Sequence, residues 1–292
     1  MVDLGREYLD EDVGNIVAME HVNVRITDQA RATLFYVLGL GLTRDPYLWI
    51  GLDNMWINVG EQQFHLPTSE RAQVIPGCIG LVVPDLDELQ SRLKGVQSQL
   101  TGTRFAWSVE ADGVVAVTCP WGNRFRCHSP GPGFGDMILG MPYVEFWVQS
   151  GTAKGIARFY EKVMRAPVAL QSESDATVAR VSIGRNQWLL FRETAEELPP
   201  YDGHHIAVYV AHFSGLHRFM QRRGLIMEDV TTNQFRFKEL VDPESGVKVF
   251  ELEHEVRSLR HPLYHRPLVN RNPSQTQERY TRGRDALTPF TD

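Results

Sequence analysis

The stretch His21–Leu42, HVNVRITDQARATLFYVLGLGL, returns in altered form as Val144–Val168, VEFWVQSGTAKGIARFYEKVMRAPV. Each begins as a strand alternating apolar and polar residues, turns through a short polar segment, and continues as an amphipathic helix carrying Phe-Tyr. A second matched pair follows: CIGLVVPDLDELQSRL at Cys78–Leu93 and HIAVYVAHFSGLHRFM at His205–Met220, again strand, turn and helix. A third closes each copy, CPWGNRFRCH at Cys119–His128 and DPESGVKVFELEHE at Asp242–Glu255, a Pro/Gly turn feeding a strand. The same order at a nearly constant offset marks a duplication.

Each copy divides again. Short alternating segments follow every strand–helix pair: MWINVG and QQFHLP, VEADG and VVAVTCP, TVARVSIG and NQWLLFRE, FRFKELVD and KVFELEHE. The repeating unit is therefore β-α-β-β-β, used four times, an α+β design in which helices cover one sheet face. Two units set edge to edge make a curved, incomplete barrel, and the other set of alternating side chains lines its concave face. Pairing in chain order gives two tandem barrels. The expected organisation is an N-terminal extension at 1–18, a first domain at 19–128, the Gly/Pro-rich linker SPGPGFGDMILGMP at 129–142, a second domain at 143–256, and an Arg/Pro-rich arm at 257–292.

With 292 residues the chain can bury two cores, and its formal net charge of −6 offers no general attraction to nucleic acid or an anionic membrane. Its longest apolar runs, such as GCIGLVVP, are too short to span a bilayer, and the acidic start MVDLGREYLDEDVG is no signal peptide. Three cysteines without CxxC spacing argue against a disulfide scaffold and for a reducing, cytoplasmic setting. The arm, with anchors Leu263, Tyr264 and Leu268, is expected to dock on its own protein or on a second subunit as a homodimer.

The segments HVNVRITD…LFYVLGLGL, FHLP, PDLDEL, CPWGN, RFYEKVM, HHIAVYV and DPESGVKVFELE together resemble the vicinal oxygen chelate superfamily over residues 19 to 256. That superfamily includes glyoxalase I, bleomycin and fosfomycin resistance proteins and extradiol dioxygenases. The resemblance implies a divalent ion (Fe2+, Mn2+, Ni2+, Zn2+ or Mg2+) held by inward residues of the first and last strands of paired units. It implies an enzyme acting on a small oxygen-bearing, conceivably aromatic substrate, by extradiol-type dioxygenation or by lyase or isomerase chemistry. The alternative it carries is a metal-free protein that binds and sequesters a small molecule.

Strand parity, combined with the resemblance, selects the candidates. In the second domain His205 takes the family's histidine position, with Glu251 as carboxylate ligand and Glu253 beside it. The longer DPESG turn leaves the Glu251/Glu253 register open by one step. The first strand supplies Glu145 or Tyr143, depending on an insertion in GTAKG, and Gln187 offers an oxygen from the strand NQWLLF. The expected metal ligands are therefore His205, Glu251 and Glu145; Glu253 and Tyr209 are expected to move protons; Tyr143, Trp147 and Gln187 are expected to contact substrate. The first domain is expected to lack a metal, because Arg126 stands at the family's carboxylate position and a guanidinium repels cations. Its polar pocket, His21, His65 and Arg126, could take an anion.

Overall fold

The computed structural model describes residues 12–46, 48, 53–173 and 176–269. Four βαβββ units follow one another. The first comprises β1 (Ile16–Asn23), α1 (Gln29–Ala32), β2 (Thr43–Arg44), β3 (Asn54–Val59) and β4 (Gln62–Pro67). The second comprises β5 (Gly77–Val82), α2 (Leu86–Val96), β6 (Ala106–Val109), β7 (Val115–Thr118) and β8 (Arg124–His128). The third comprises β9 (Gly140–Gln149), α3 (Ala153–Arg158), β10 (Val168–Glu173), β11 (Ala176–Ser182) and β12 (Trp188–Thr194). The fourth comprises β13 (His205–Val210), α4 (Phe213–Arg222), β14 (Glu228–Thr231), β15 (Gln234–Val241) and β16 (Lys248–Ser258).

The α+β, four-unit architecture is the one read from the repeats, but the units choose different partners. β1 pairs antiparallel with β13, so the first and fourth units share one eight-stranded sheet, ordered β14-β15-β16-β13-β1-β4-β3-β2. β5 pairs antiparallel with β9, so the second and third units share the other, ordered β10-β11-β12-β9-β5-β8-β7-β6. We call these the outer and inner sheets. Each expected domain, 19–128 and 143–256, thus gives one unit to each sheet. Alternation fixes which face of a strand is buried, but every strand edge offers the same N–H and C=O groups, so periodicity is silent on which edge meets which. β9 also begins within the expected linker and β1 within the expected N-terminal extension.

Side-chain parity within the strands follows the sequence. Val22, Val24 and Ile26, Phe64 and Leu66, Val144, Phe146 and Val148, and Ile206, Val208 and Val210 are all buried. Asp28 caps α1 by accepting from the Arg31 N–H, and Asp85 caps α2 by accepting from Asp87 and Glu88. The repeated Phe-Tyr pairs, Phe35–Tyr36 and Phe159–Tyr160, lie in the π-helical turns Thr33–Gly39 and Phe159–Met164 that extend α1 and α3. All four rings are fully buried, and each such ring contributes about 2–3 kcal/mol of hydrophobic stabilisation.

The connection between the copies returns across the β3–β4 hairpin. Gly60 in that turn has φ +61°, and a Cβ there would stand 2.0 Å from the Leu139 carbonyl oxygen. Gly60→Ala is therefore expected to lose at least about 2 kcal/mol, read as a lower urea midpoint at unchanged m-value.

Candidate functional site

The outer sheet brings His21 of β1, His65 of β4 and His205 of β13 together. One ring nitrogen of each lies within 4.8 Å of the other two, close to the span of about 4 Å across an ion with ligands at about 2.1 Å. Pairing sets this up: Asn23 is opposite His205 and level with His65, while His21 is one alternation away on the same face. Nε2 of all three rings is buried without a hydrogen-bond partner. The Nδ1 atoms are engaged. His21 Nδ1 meets the Glu20 carboxylate at 2.9 Å, His65 Nδ1 meets the Asn23 side-chain amide at 2.7 Å, and His205 Nδ1 faces Glu253 at 3.6 Å. The Glu20 carboxylate fixes the His21 tautomer that leaves Nε2 its lone pair; at His65 the Asn23 amide nitrogen donates to Nδ1, and turning that amide to present its oxygen would free Nε2 to ligate.

Burial keeps two of these rings neutral. It pushes His65 down to about 2, reinforced by His21 and by the guanidiniums of Arg236 and Arg257. Burial also drives His205 far below the ordinary imidazole value, with His21 and Arg236 adding to it. A neutral imidazole has a lone pair to donate. Trp56 lies flat on His65 at 3.9 Å between centroids and edge-on to His21 at 4.9 Å, so an indole shields the rings from one side.

A row of buried charges runs beside the imidazoles. Arg257 joins Glu20 to Glu255, and Arg236 joins Glu255 (2.6 Å) to Glu253 (2.7 Å). Glu20 is the extra residue where the β1–β13 register shifts between Met19 and His21, and that bulge lets consecutive residues Glu20 and His21 touch. Burial acts to raise the Glu20 carboxyl, but its bond to His21 and the fields of His21 and Arg257 outweigh it and hold the group at about 2. Burial raises Glu253. Three carboxylates against two guanidiniums favour a cation among the three imidazoles. Glu255 Oε2 stands 3.8 Å from His205 Nε2, the nearest carboxylate to that open nitrogen.

Several expected residues fall elsewhere. Glu251 lies toward the other end of β16, paired with Lys238 at 2.8 Å and Lys248 at 3.4 Å, while Glu253 is the residue level with His205. The longer DPESG turn had left that choice open, and the register settles it two residues on. Glu145 belongs to the inner sheet, where it accepts from Arg192 at 3.2 Å and Trp147 at 3.2 Å. It cannot join His205, because β9 and β13 are in different sheets. Tyr143, Trp147 and Arg126 line an inner-sheet cavity instead. Gln187 bridges the two sheets, accepting from Met19 N and donating to Met19 O. Tyr209 does reach the outer site, donating to Glu20. His21 and His65 are partners of His205, not members of a separate pocket with Arg126. His204 turns the corner before β13, on Asp202 at 2.6 Å. Trp56, Glu20, Arg236, Glu255 and Arg257 went unselected. Parity would have given Trp56, opposite Met55 and Ile57, and Glu255, two beyond Glu253; the bulge at Glu20 leaves no periodic signal.

The first part of the arm folds back on its own chain over this sheet. Arg266 binds the buried Asp45 at 2.8 Å, the Tyr264 ring meets Tyr209 at 4.8 Å, and Asn58 donates to Val269 O. Leu268 is described and half-buried, while residues 270–292 lie outside the described residues.

All three thiols are free. Burial raises each, Cys78 to about 12 with help from Glu145, and Cys127 to about 12. At pH 8 Cys78 is then held as the unreactive thiol. Native protein is expected to release almost no thionitrobenzoate from Ellman's reagent, and three equivalents once unfolded in guanidinium.

The two sheets of paired βαβββ units form a glyoxalase/dioxygenase-like fold. The structure is similar to that of a V278E mutant of glyoxalase I from Zea mays, at 14% identity and a TM-score of 0.57, covering 82% of this chain and 92% of that one. It is likewise similar to the putative dioxygenase from Bacillus subtilis, at 15% identity and TM-score 0.58, with 86% and 88% covered. Unmutated Zea mays glyoxalase I gives 13% identity and TM-score 0.56, with 85% and 94% covered. No protein-family model and no curated protein sequence matches the chain. Among the described residues no helix is long and apolar enough to cross a membrane.

Proposed function

We propose that the outer sheet holds a divalent transition-metal ion on His21, His65, His205 and Glu255, and that the chain is a metal-dependent enzyme for a small oxygen-bearing substrate. The observation carrying this reading is that one ring nitrogen from each of three imidazoles lies within 4.8 Å of the others, and that all three rings have a buried Nε2 without a partner. An orphaned buried nitrogen costs about 1–3 kcal/mol, and three together are hard to sustain unless something they ligate relieves them. Three imidazoles and one carboxylate suit iron, nickel or zinc better than magnesium. When bound, such an ion supplies Lewis-acid polarisation of two adjacent substrate oxygens.

The chain's own groups supply the rest. Glu253, raised by burial and 3.6 Å from His205, is the group suited to take up a substrate proton. Arg236 holds the Glu253 and Glu255 carboxylates in place. The Tyr209 hydroxyl, raised by burial and then by Glu20, stays protonated and orients Glu20 behind His21. Trp56 offers a flat apolar wall, which supports an aromatic substrate. The fold and donor set are compatible with extradiol-type dioxygenation or with glyoxalase-type lyase or isomerase chemistry, and the free thiols support a cytoplasmic setting. To test this, protein loaded separately with Fe2+, Ni2+ and Zn2+ is assayed on catechols under air and on a glutathione–methylglyoxal hemithioacetal. Turnover that needs the metal and disappears in Glu253→Gln supports the reading. Metal uptake with no turnover of either class overturns it in favour of a binding protein, and turnover by apoprotein overturns it in favour of a metal-independent enzyme.

A further inference from the structure

The inner sheet lines an open cavity of about 840 Å3. Strand registers relate it to the outer site position by position. Tyr143 faces Gly80 across β9 and β5 as His21 faces Ala207 across β1 and β13. Glu145 faces Cys78 as Asn23 faces His205. Leu190 lies level with Glu145 on β12 as His65 lies level with Asn23 on β4. Gly80 lies level with Arg126 on β8 as Ala207 lies level with Glu255 on β16, which sets Arg124 where the outer sheet has Glu253. The three imidazoles thus correspond to a phenol, a leucine and a thiol, and the two carboxylates to two guanidiniums. The three imidazole positions no longer carry a histidine, and the charge at the two closing positions is reversed.

The local contacts say what the reversal favours. The Arg124 guanidinium lies 3.9 Å over the Trp147 ring, and its Nε donates to the Gly77 carbonyl at 3.2 Å. Among the described residues no carboxylate stands within ion-pair distance of Arg124. Arg126 is shared between Glu110 at 2.8 Å and Asp112 at 3.3 Å, and Arg192 meets Glu145. Of the charges lining the cavity, three are guanidiniums (Arg124, Arg126, Arg192) and two are carboxylates (Glu110, Glu145). Trp107, Trp147 and Tyr143 give it flat walls, and the Tyr143 hydroxyl is shared with His128 Nε2 at 2.9 Å. Gly80 makes room for that phenol: a Cβ there would stand 2.4 Å from the ring.

We propose that the inner cavity is a metal-free binding site for a small planar aromatic carboxylate, its ring among Trp107, Tyr143 and Trp147 and its carboxylate on Arg124. An arginine stacked on an indole is held in one plane, the geometry that suits a carboxylate best. The aromatic walls match a flat ring, and Arg124, with no carboxylate within ion-pair distance among the described residues, selects the anion. The proposal stands independently of any metal in the outer sheet.

The test titrates full-length protein with 2-naphthoate by isothermal calorimetry, with 2-naphthylmethylamine as the cationic counterpart. Saturable one-to-one binding of 2-naphthoate is expected, at least about tenfold tighter than the amine. Arg124→Gln and, separately, Trp147→Leu are expected to weaken 2-naphthoate about tenfold or more. His205→Ala should bind it unchanged. Arg124→Gln alters an exposed side chain, so a circular dichroism melt matching wild type keeps it interpretable should Trp147→Leu fail to fold. The proposal is overturned if 2-naphthoate shows no saturable binding at millimolar concentration, if the amine binds as tightly, if Arg124→Gln binds normally, or if binding disappears in His205→Ala.

Discussion

His205→Ala, loaded with Zn2+, Ni2+ or Fe2+ and dialysed against metal-free buffer, is expected to retain well under one tenth of the metal that the wild type keeps. Changes to partners that only orient a ligand cost about 10- to 100-fold in affinity, and loss of one of four ligands costs more. His21→Ala and His65→Ala are expected to behave alike, since each removes one of the three buried Nε2 atoms. Glu145→Ala and Glu251→Ala serve as the opposing controls. One carboxylate belongs to the inner sheet and the other sits among Lys238 and Lys248, so both variants should load fully. Metal measured by mass spectrometry decides the matter. Full loading of His205→Ala, or loss of metal in Glu145→Ala, would place the ion elsewhere.

Arg257→Met is expected to be the most damaging single change to stability. Arg257 is almost wholly buried and lies between Glu20 and Glu255, which are buried as well. Methionine fills similar volume but leaves two carboxylates without their shared cation. Breaking a buried pair from one side costs about 3–5 kcal/mol, or roughly 5–8 °C of melting temperature for a chain of this size. The double variant Glu20→Gln with Arg257→Met should recover part of the loss, because one of the stranded charges is gone. Arg31→Met, which removes an exposed pair with Asp28, should change stability by less than about 0.5 kcal/mol. Calorimetric melts of the four proteins give the comparison, and an Arg257→Met protein as stable as Arg31→Met would show that the charges are not buried together.

The repeats made the units legible. Alternation in HVNVRITD, VEFWVQ and HIAVYV fixed the buried faces, and the duplicated Phe-Tyr located the helices of the first and third units. His205 was found because parity aims it inward from β13. His21 and His65 were placed inward for the same reason, yet they were assigned to a pocket of their own. The difference lies in pairing the two units within each copy, where the sheets pair units across the copies. A strand edge carries no side-chain signature, so nothing in the periodicity opposed pairing within a copy. That pairing also drew Glu145 into the wrong sheet and concealed that three histidines converge. Glu251 was preferred over Glu253 because a turn of altered length breaks the step-by-step match between copies, and only the β13–β16 register resolves it. Glu20 was out of reach altogether, since a bulge interrupts the two-residue period on which the reading depends.

The nested pairing also has a temporal side. The inner sheet joins consecutive units, so its strands meet as soon as the third unit has left the ribosome. The outer sheet must wait for the fourth unit, the last to be synthesised, whose β13 pairs with β1, the first strand. A nascent chain released after Thr194 can complete the arginine-lined hollow while His21 and His65 still lack their third companion, and the exposed edge of β1 during that interval is where aggregation would start.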